Sequence, residues 1–509
     1  MPYNERQDMP AEPGGQGPMA QFFHNLFHGT PPPPPPPPQG PIPIKLERPA
    51  RDGVVCPFCM ERFPVWELEF RSTSVDEDGL IGYPSGVDEQ YVTFWDNVKQ
   101  PVQNEEQGFV LRVTDRENVT EVRLWDGTWI PNRSENQAAI EKKAIWEVRD
   151  KFGNPTRQRI CPHCHNALPD VIGRSPNYII SMMGNTSSGK TVYLSRMILS
   201  MINGGFLPTW GLTASAIFTD PKGPKTRPEV MASLKKMFSG RKEDDSRDVG
   251  RLASATPVRY MYPIILKLQK GYDTKLVTIF DFPGEAIWRL NSDQDLFFKK
   301  LMNRINENAD GWLFILDSTT LDPVHSCILA HGDEEYISQG NVDDANLNAD
   351  PGSVLMEFSD FFGGGNQIRT PVALIFSKAD MIARYAEELN GEGYRIAPDS
   401  PFLCDPPHTD RSKVDLDDLW KCDRAIQQFL EGDLVLTTAR NLFRQHAWFA
   451  VSATGVPVKK AQMGNVVAPP RRVVEPLEWL LWMLGAFAGE YRHGNPLWGA
   501  ASGQDGGRG

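Results

Sequence analysis

No apolar run in this chain is long enough to cross a bilayer: the longest, Trp479 to Ala488, is about half of the ~20 residues a span requires. The N-terminus has no basic start followed by an apolar stretch, so no secretory signal is expected. Positive charge is also in deficit. Lys and Arg number 53 against 65 Asp and Glu, the net charge is −12, and no long Lys/Arg run breaks that balance. This argues against bulk nucleic-acid binding. Cysteine is scarce, with seven in 509 residues, and four of the seven fall in two C-x-x-C pairs. That usage fits a reducing, cytoplasmic setting with a bound metal better than a disulfide framework. What the chain does have is a 40% apolar content and a length sufficient for about three or four domains at ~150 residues each.

Residues 1–50 read as a disordered tail. The unbroken Pro31–Pro38 run in it favours a stiff, extended helix suited to a spacer or a docking peptide. Phe22, Phe23, Leu26 and Phe27 form a small apolar patch ahead of that run. A Gly-rich tail closes the chain over 492–509.

The first chemical motif is Cys56-Pro57-Phe58-Cys59, matched by Cys161-Pro162-His163-Cys164. Each pair is a tight turn that offers two thiolates to one metal, and two such knuckles make a tetrahedral Cys₄ zinc site. About a hundred residues part Cys59 from Cys161, far more than the usual ribbon spacing. The expectation is therefore a zinc ribbon over 51–170 with a small β-rich domain inserted at 65–150. Short β-like runs at 66–71, 91–95, 109–113, 122–130 and 144–148 carry it. Two separate metal sites or a redox dithiol are the alternatives. His163 and His165 are reserve ligands that a Cys₄ set does not need.

The second motif is Gly184-Asn185-Thr186-Ser187-Ser188-Gly189-Lys190-Thr191, which reads G-x-x-x-x-G-K-T. An apolar, partly β-branched run at 177–183 precedes it, and Val192, Leu194, Met197, Ile198 and Met201 follow at helical spacing. A strand, a Gly-rich turn and a helix form the cradle that phosphates require. Main-chain N–H groups and the helix N-terminus face the anion, Lys190 reaches the β- and γ-phosphates, and the Thr191 hydroxyl holds Mg²⁺.

Further on, 258–269 and 275–280 read as a hairpin that ends in Asp281-Phe282-Pro283-Gly284-Glu285. Buried strands at 312–317 and 372–376 follow, the second running into Ser377-Lys378-Ala379-Asp380. A third, 448–451, runs into Ser452-Ala453-Thr454, and 475–487 reads as a closing helix. This succession resembles the translation-factor-like and Ras-like P-loop GTPases over about 177–490. With the N-terminal zinc pattern, the whole is similar to bacterial GTPase-like proteins thought to act in regulatory or conflict-response systems. The resemblance implies an α/β fold, a P-loop three-layer sheet with helices on both faces, over 171–491. Stretches near 221–255, 322–365 and 391–413 then read as surface insertions. It also implies roles. Asp281 is to bind Mg²⁺ through water and Gly284 to sense the γ-phosphate. Asp380 is to accept the guanine N1–H and amine, with the Lys378 stem across the base and Ala453 presenting its N–H to the guanine oxygen. Thr256 is the candidate for the remaining Mg²⁺ ligand, with Thr219 behind it.

The sequence departs from that pattern at Ser377, where Asn or Thr is usual, and at Glu285, where a water-orienting Gln or His is usual. Ser377 can still tether loops through its hydroxyl. Glu285 sits badly beside a triphosphate, so hydrolysis is expected to be slow or stimulated by a protein partner. Lys190, Gly284 and Glu285 are the catalytic candidates of a GTP-binding switch. The alternatives are an ATP-using NTPase and a nucleotide-binding scaffold without turnover.

Overall fold

The first cysteine pair sits on a hairpin, β1 (Val54–Val55) against β2 (Arg62–Phe63). The computed structural model describes residues 53–72, 75–76, 79–80, 87–98, 108–184, 188–202, 213–220, 223–224, 263–271, 273–281, 296–333, 351–363, 367–406, 414–457, 469–487 and 489–490. The proline run, the apolar patch before it, the C-terminal tail and most of 221–255 lie outside them.

β3 (Glu69–Arg71) follows, and then α1 (Glu89–Asn97). The 91–95 run was expected to be a strand and is this helix. Tyr91, Phe94 and Trp95 are buried on one face at three- and four-residue spacing, and the Asp88 carboxylate caps the first turn by accepting from Tyr91 N at 3.1 Å. β4 (Val110–Leu111), β5 (Val119–Leu124) and β6 (Trp129–Pro131) come next. The 122–130 run is thus two strands, turned at Asp126-Gly127, where Gly127 takes φ 93°. β7 (Ile145–Asp150), β8 (Pro155–Thr156) and β9 (Arg159–Ile160) complete the region. Two antiparallel sheets result, β8-β7-β5-β6 and β9-β3-β4, over a core of Phe70, Leu111, Val119, Val122, Ile145 and Val148.

β10 (Asn177–Gly184) is buried from Tyr178 onward, as a strand covered on both faces must be. α2 (Lys190–Ile202) follows it and buries Tyr193, Leu194, Met197, Ile198 and Met201. Tyr193 takes the inward position expected of Val192, which is half-buried. After β11 (Thr213–Asp220) and β12 (Gly223–Pro224), β13 (Ile264–Lys270) and β14 (Asp273–Asp281) form the expected hairpin. α3 (Leu296–Asn308) leads into β15 (Gly311–Asp317). Beyond it lie α4 (Asp322–Ala330), α5 (Pro351–Gly363), β16 (Val372–Ser377), α6 (Ala379–Arg384), α7 (Leu416–Phe429), α8 (Leu434–Leu442), β17 (His446–Ala450) and α9 (Glu475–Met483).

The eight-stranded sheet has the order β12-β11-β13-β14-β10-β15-β16-β17. Pairing is antiparallel as far as β14 and parallel from there on. Along β10 the side chains alternate between two cores. Tyr178, Ile180 and Met182 pack with α2 and α9, while Ile179 and Met183 pack with α3, α4, α5 and α8. The sheet is therefore the middle of three layers.

Two of the expected surface insertions are not superficial. In 322–365, Val324, Cys327 and Ile328 of α4 and Val354, Leu355 and Phe358 of α5 are buried, and the Phe358 ring lies 5.1 Å from Trp312 and 5.0 Å from Phe314. In 391–413, Phe402 and Leu403 are buried as well. In 322–365 the cause is apolar residues at helical spacing inside a polar stretch. The core that holds Ile179 and Met183 also contains Cys56, Cys59, Cys161 and Cys164, so apolar packing is continuous across residue 170.

Candidate nucleotide and metal sites

The two knuckles share one construction. Cys56 N donates to Glu61 O at 2.9 Å and Met60 N to Cys56 O at 3.1 Å. In the second knuckle Cys161 N donates to Asn166 O at 3.0 Å and His165 N to Cys161 O at 2.9 Å. Phe58 N and His163 N point at Cys56 Sγ and Cys161 Sγ, each at 3.3 Å. The residues after the pairs, Met60 and His165, are left-handed with φ 57° and 50°. The four sulfurs converge within 4.8 Å of one another, with Cys56 and Cys164 3.7 Å apart and Cys59 and Cys161 3.8 Å apart. Tetrahedral zinc at about 2.3 Å from each thiolate places the sulfurs about 3.8 Å apart. The close pairs join different knuckles, so the cluster is one four-sulfur site rather than two dithiols. Burial first, then the neighbouring thiols, pushes the Cys56 thiol well above the ordinary cysteine range, and a dication would relieve that cost.

His165 is committed elsewhere. Its Nδ1 lies 2.8 and 2.9 Å from the Asp88 carboxylate oxygens and its Nε2 3.1 Å from Glu69 Oε2. Burial alone would raise Asp88, but the hydrogen bonds from His165, Arg71 and Tyr91 N hold it at about 2. His163 lies against the Phe63 ring, 5.9 Å between centroids.

On the large sheet, chain order reverses at β10, whose neighbours are β14 and β15. Ligands of such sheets bind at the carboxyl ends of the strands beside that point. The register brings Gly184 beside Ile315, Met182 beside Asp281 and Asp317 beside Ser377, all at this edge. Gly184 has φ 151°, and a Cβ there would lie 2.2 Å from Ile315 O, so the chain passes too close to β15 for any side chain. Gly189 takes φ 82° just before α2. The buried Lys190 folds back and donates from Nζ to Gly184 O at 2.6 Å, closing the loop on itself. Asp281 is buried, and among the described residues its Oδ1 has no hydrogen-bond partner. Burial lifts its carboxyl to about 6, with Lys190 acting in the opposite direction. An orphaned carboxylate oxygen beside the phosphate loop fits a hydrated Mg²⁺. Asn185, Thr186, Ser187, Thr256, Gly284 and Glu285 lie outside the described residues, as do the side chains of Thr191 in the first turn of α2 and of Thr219 in β11.

The expected base-reading residues come together at the same edge. Ser377 Oγ reaches Ser188 O of the phosphate loop at 2.7 Å and Leu316 O at 3.2 Å. Lys378 is left-handed at φ 55°, and its Nζ pairs with Asp317 Oδ2 at 2.5 Å. Asp380 Oδ1 accepts from Ser452 Oγ at 2.5 Å, and that oxygen accepts in turn from Gly455 N at 2.8 Å. Burial raises the Asp380 carboxyl, while the Ser452 bond and Lys378 counter it. Ala379 N donates to Val451 O at 3.0 Å, stitching the two loops together next to half-buried Ala453. Sequence reasoning missed Asp317, though an acid that ends a buried strand at this edge was a usable signal.

α3 links the first knuckle to the large sheet. Asn308 Nδ2 donates to Met60 O at 3.2 Å, and Asn308 Oδ1 accepts from Arg62 at 2.6 Å. Arg304 pairs with Glu61 and donates to Cys59 O at 3.4 Å. Two residues beyond Asn308, Asp310 exchanges two hydrogen bonds with Ile179 of β10, at 2.7 and 2.9 Å. A cleft of about 670 Å³ between the knuckles, α1 and α3 is lined by Cys59, Asp88, Phe94, His163, Phe297 and Arg304.

No family model matches the chain, and no curated protein matches it. Among solved structures it is similar to the GTPase-like domain of S. cerevisiae Ski7 bound to GDP and inorganic phosphate. The identity is 12%, the match covers 54% of this chain and 43% of that one, and the TM-score is 0.24. The same domain bound to GTP matches at 12% identity with a TM-score of 0.21, again over 54% of this chain and 43% of that one. The chain thus spans less than half the length of these neighbours, and likeness at this level carries no function across.

Proposed function

We propose that the chain is a GTP-binding regulatory switch with Mg²⁺-dependent hydrolysis that is slow or stimulated by a partner. The observation that carries this is the Ser377–Ser188 hydrogen bond. It ties a candidate base pocket, Lys378, Asp380 and Ser452, to the phosphate loop at one sheet edge. In this reading Lys190 neutralises the β- and γ-phosphates, and the amides around Gly189 hold their oxygens. Asp380 accepts two N–H groups of guanine. Adenine offers no such pair and would leave the buried carboxylate unsatisfied. Asp281 and Thr191 hold Mg²⁺, which supplies charge neutralisation on the phosphates. Gly284 and Thr256 stand where the resembling family completes the site, and Glu285 stands where that family keeps a Gln or His; all three belong to the same proposal here. Zinc in the four-sulfur cluster is structural, since a closed thiolate set leaves no open position. The contacts between α3 and the first knuckle support a readout through the ribbon to a protein partner in the cytoplasm.

Competition between GTP and ATP for the purified protein tests the reading, and at least a tenfold preference for GTP is expected from the unpaired-carboxylate penalty. Equal or ATP-favoured binding overturns it in favour of an ATP-using NTPase. Single-turnover hydrolysis with and without cell extract then separates a switch from a scaffold: a rate that no extract raises marks the scaffold.

A further inference from the structure

We propose that Asp317 is the positioning residue of the base site, holding Lys378 where its stem covers the purine; this rests on the guanine reading above. Three contacts run from the end of β15 to the loop after β16. Leu316 O accepts from Ser377 Oγ at 3.2 Å, Asp317 Oδ2 takes the Lys378 ammonium at 2.5 Å, and Ser318 Oγ donates to Lys378 O at 3.0 Å. The residues around Asp317 therefore bracket the backbone and the side chain of Lys378 from one side.

The bracket is rigid. Asp317 Oδ1 accepts from Thr319 N at 3.0 Å and from Thr319 Oγ1 at 2.7 Å, which fixes the plane of the carboxylate and aims Oδ2 at Lys378. The Asp317 side chain is 6% exposed and that of Lys378 24%. Lys378 needs this support for two reasons. Its left-handed backbone persists only where the surroundings impose it. Its ammonium rides on four rotatable carbons and would otherwise sample many directions. Pinned at Asp317, the stem is laid along the sheet edge next to Asp380. The pinned charge also offsets part of the burial that disfavours ionised Asp380, and Asp380 must be ionised to accept two N–H groups.

A bland alternative is that Asp317 only caps the short 3-10 turn at 318–320. The two roles part in what they do to base and phosphate affinity. Wild type, Asp317→Ala, Asp317→Glu, Lys378→Met and the Asp317→Ala/Lys378→Met double variant are titrated with GDP, ADP and tripolyphosphate. A positioning role predicts that Asp317→Ala weakens GDP by about tenfold or more, the scale of a lost charged hydrogen bond. Tripolyphosphate is held to within about twofold, and in the Lys378→Met background Asp317→Ala costs nothing further. Asp317→Glu recovers part of the loss. Unchanged GDP affinity in Asp317→Ala overturns the proposal, as does equal loss of GDP and tripolyphosphate or a loss that persists in the Lys378→Met background. If Asp317→Ala does not fold, Thr319→Ala, which removes one of the two hydrogen bonds on Asp317 Oδ1 and keeps the one from Thr319 N, must show the same split with a smaller loss, and no split overturns the proposal. A wild type that prefers ADP or does not discriminate overturns the guanine reading itself, which is a separate result.

Discussion

Buried Asp281 carries a cost when it is ionised, and a bound cation would offset it. Burial raises its carboxyl to about 6, against an unfolded value near 3.9. Below that lower value both states hold the proton and the cost is absent. It grows as pH rises between the two values and is complete above the higher one, amounting to about 3 kcal/mol at pH 8. Asp281→Asn should therefore raise the melting temperature of nucleotide-free protein in Mg²⁺-free buffer at pH 8, with the gain vanishing near pH 4. The same change should weaken Mg²⁺-dependent triphosphate binding. Melting curves between pH 4 and 8 that show no gain would refute the assignment of an unrelieved buried charge. Lys190→Ala should cost roughly tenfold to a hundredfold in triphosphate affinity, the worth of a charged hydrogen bond. It also strips Asp281 of the Lys190 charge that opposes its burial, so that variant should lose stability where Asp281→Asn gains it.

At the scale of elements, Gly184→Ala is the sharpest test of the strand-to-loop passage. A Cβ 2.2 Å from Ile315 O must push β10 and β15 apart, at a cost of about 3 kcal/mol read by urea melts. That crowding was not legible in the sequence, where Gly184 was only the first letter of a motif. The pattern of buried strands from 177 to 450 was legible, because strands covered on both faces are apolar without interruption. The 91–95 run is ambiguous in sequence because five residues fit either period, and only the cap at Asp88 marks it as a helix. Cys56, Cys59, Cys161 and Cys164 were legible as a set because knuckles are local, yet their docking on α3 was not, since Asn308 follows no spacing rule. Asn308→Ala should leave Met60 O and the Arg62 guanidinium without these partners, costing about 2 kcal/mol. Alkylation of the four thiols, timed against wild type, should speed up in step, and an unchanged rate would separate α3 from the knuckle.

For the molecule as a whole, the question is whether the four-cysteine region and the eight-stranded sheet are one cooperative body. Their apolar side chains belong to a single core that runs from Phe58 and Phe63 at the knuckles to Trp312 and Phe314 of β15. Hydrogen bonds span the same junction, from Met60 O through Asn308, while Asp310 just beyond grips Ile179. A metal that binds the folded thiolates and not the unfolded chain stabilises by mass action everything that unfolds with them. On the reading proposed above, removing zinc with a thiol-compatible chelator should thus lower the melting temperature of the sheet and weaken guanine-nucleotide binding. By reciprocity, bound nucleotide should slow zinc release by the same free energy. Two separate melting transitions, with nucleotide affinity indifferent to zinc, would mean that the shared core carries no coupling and that the ribbon is only a neighbour.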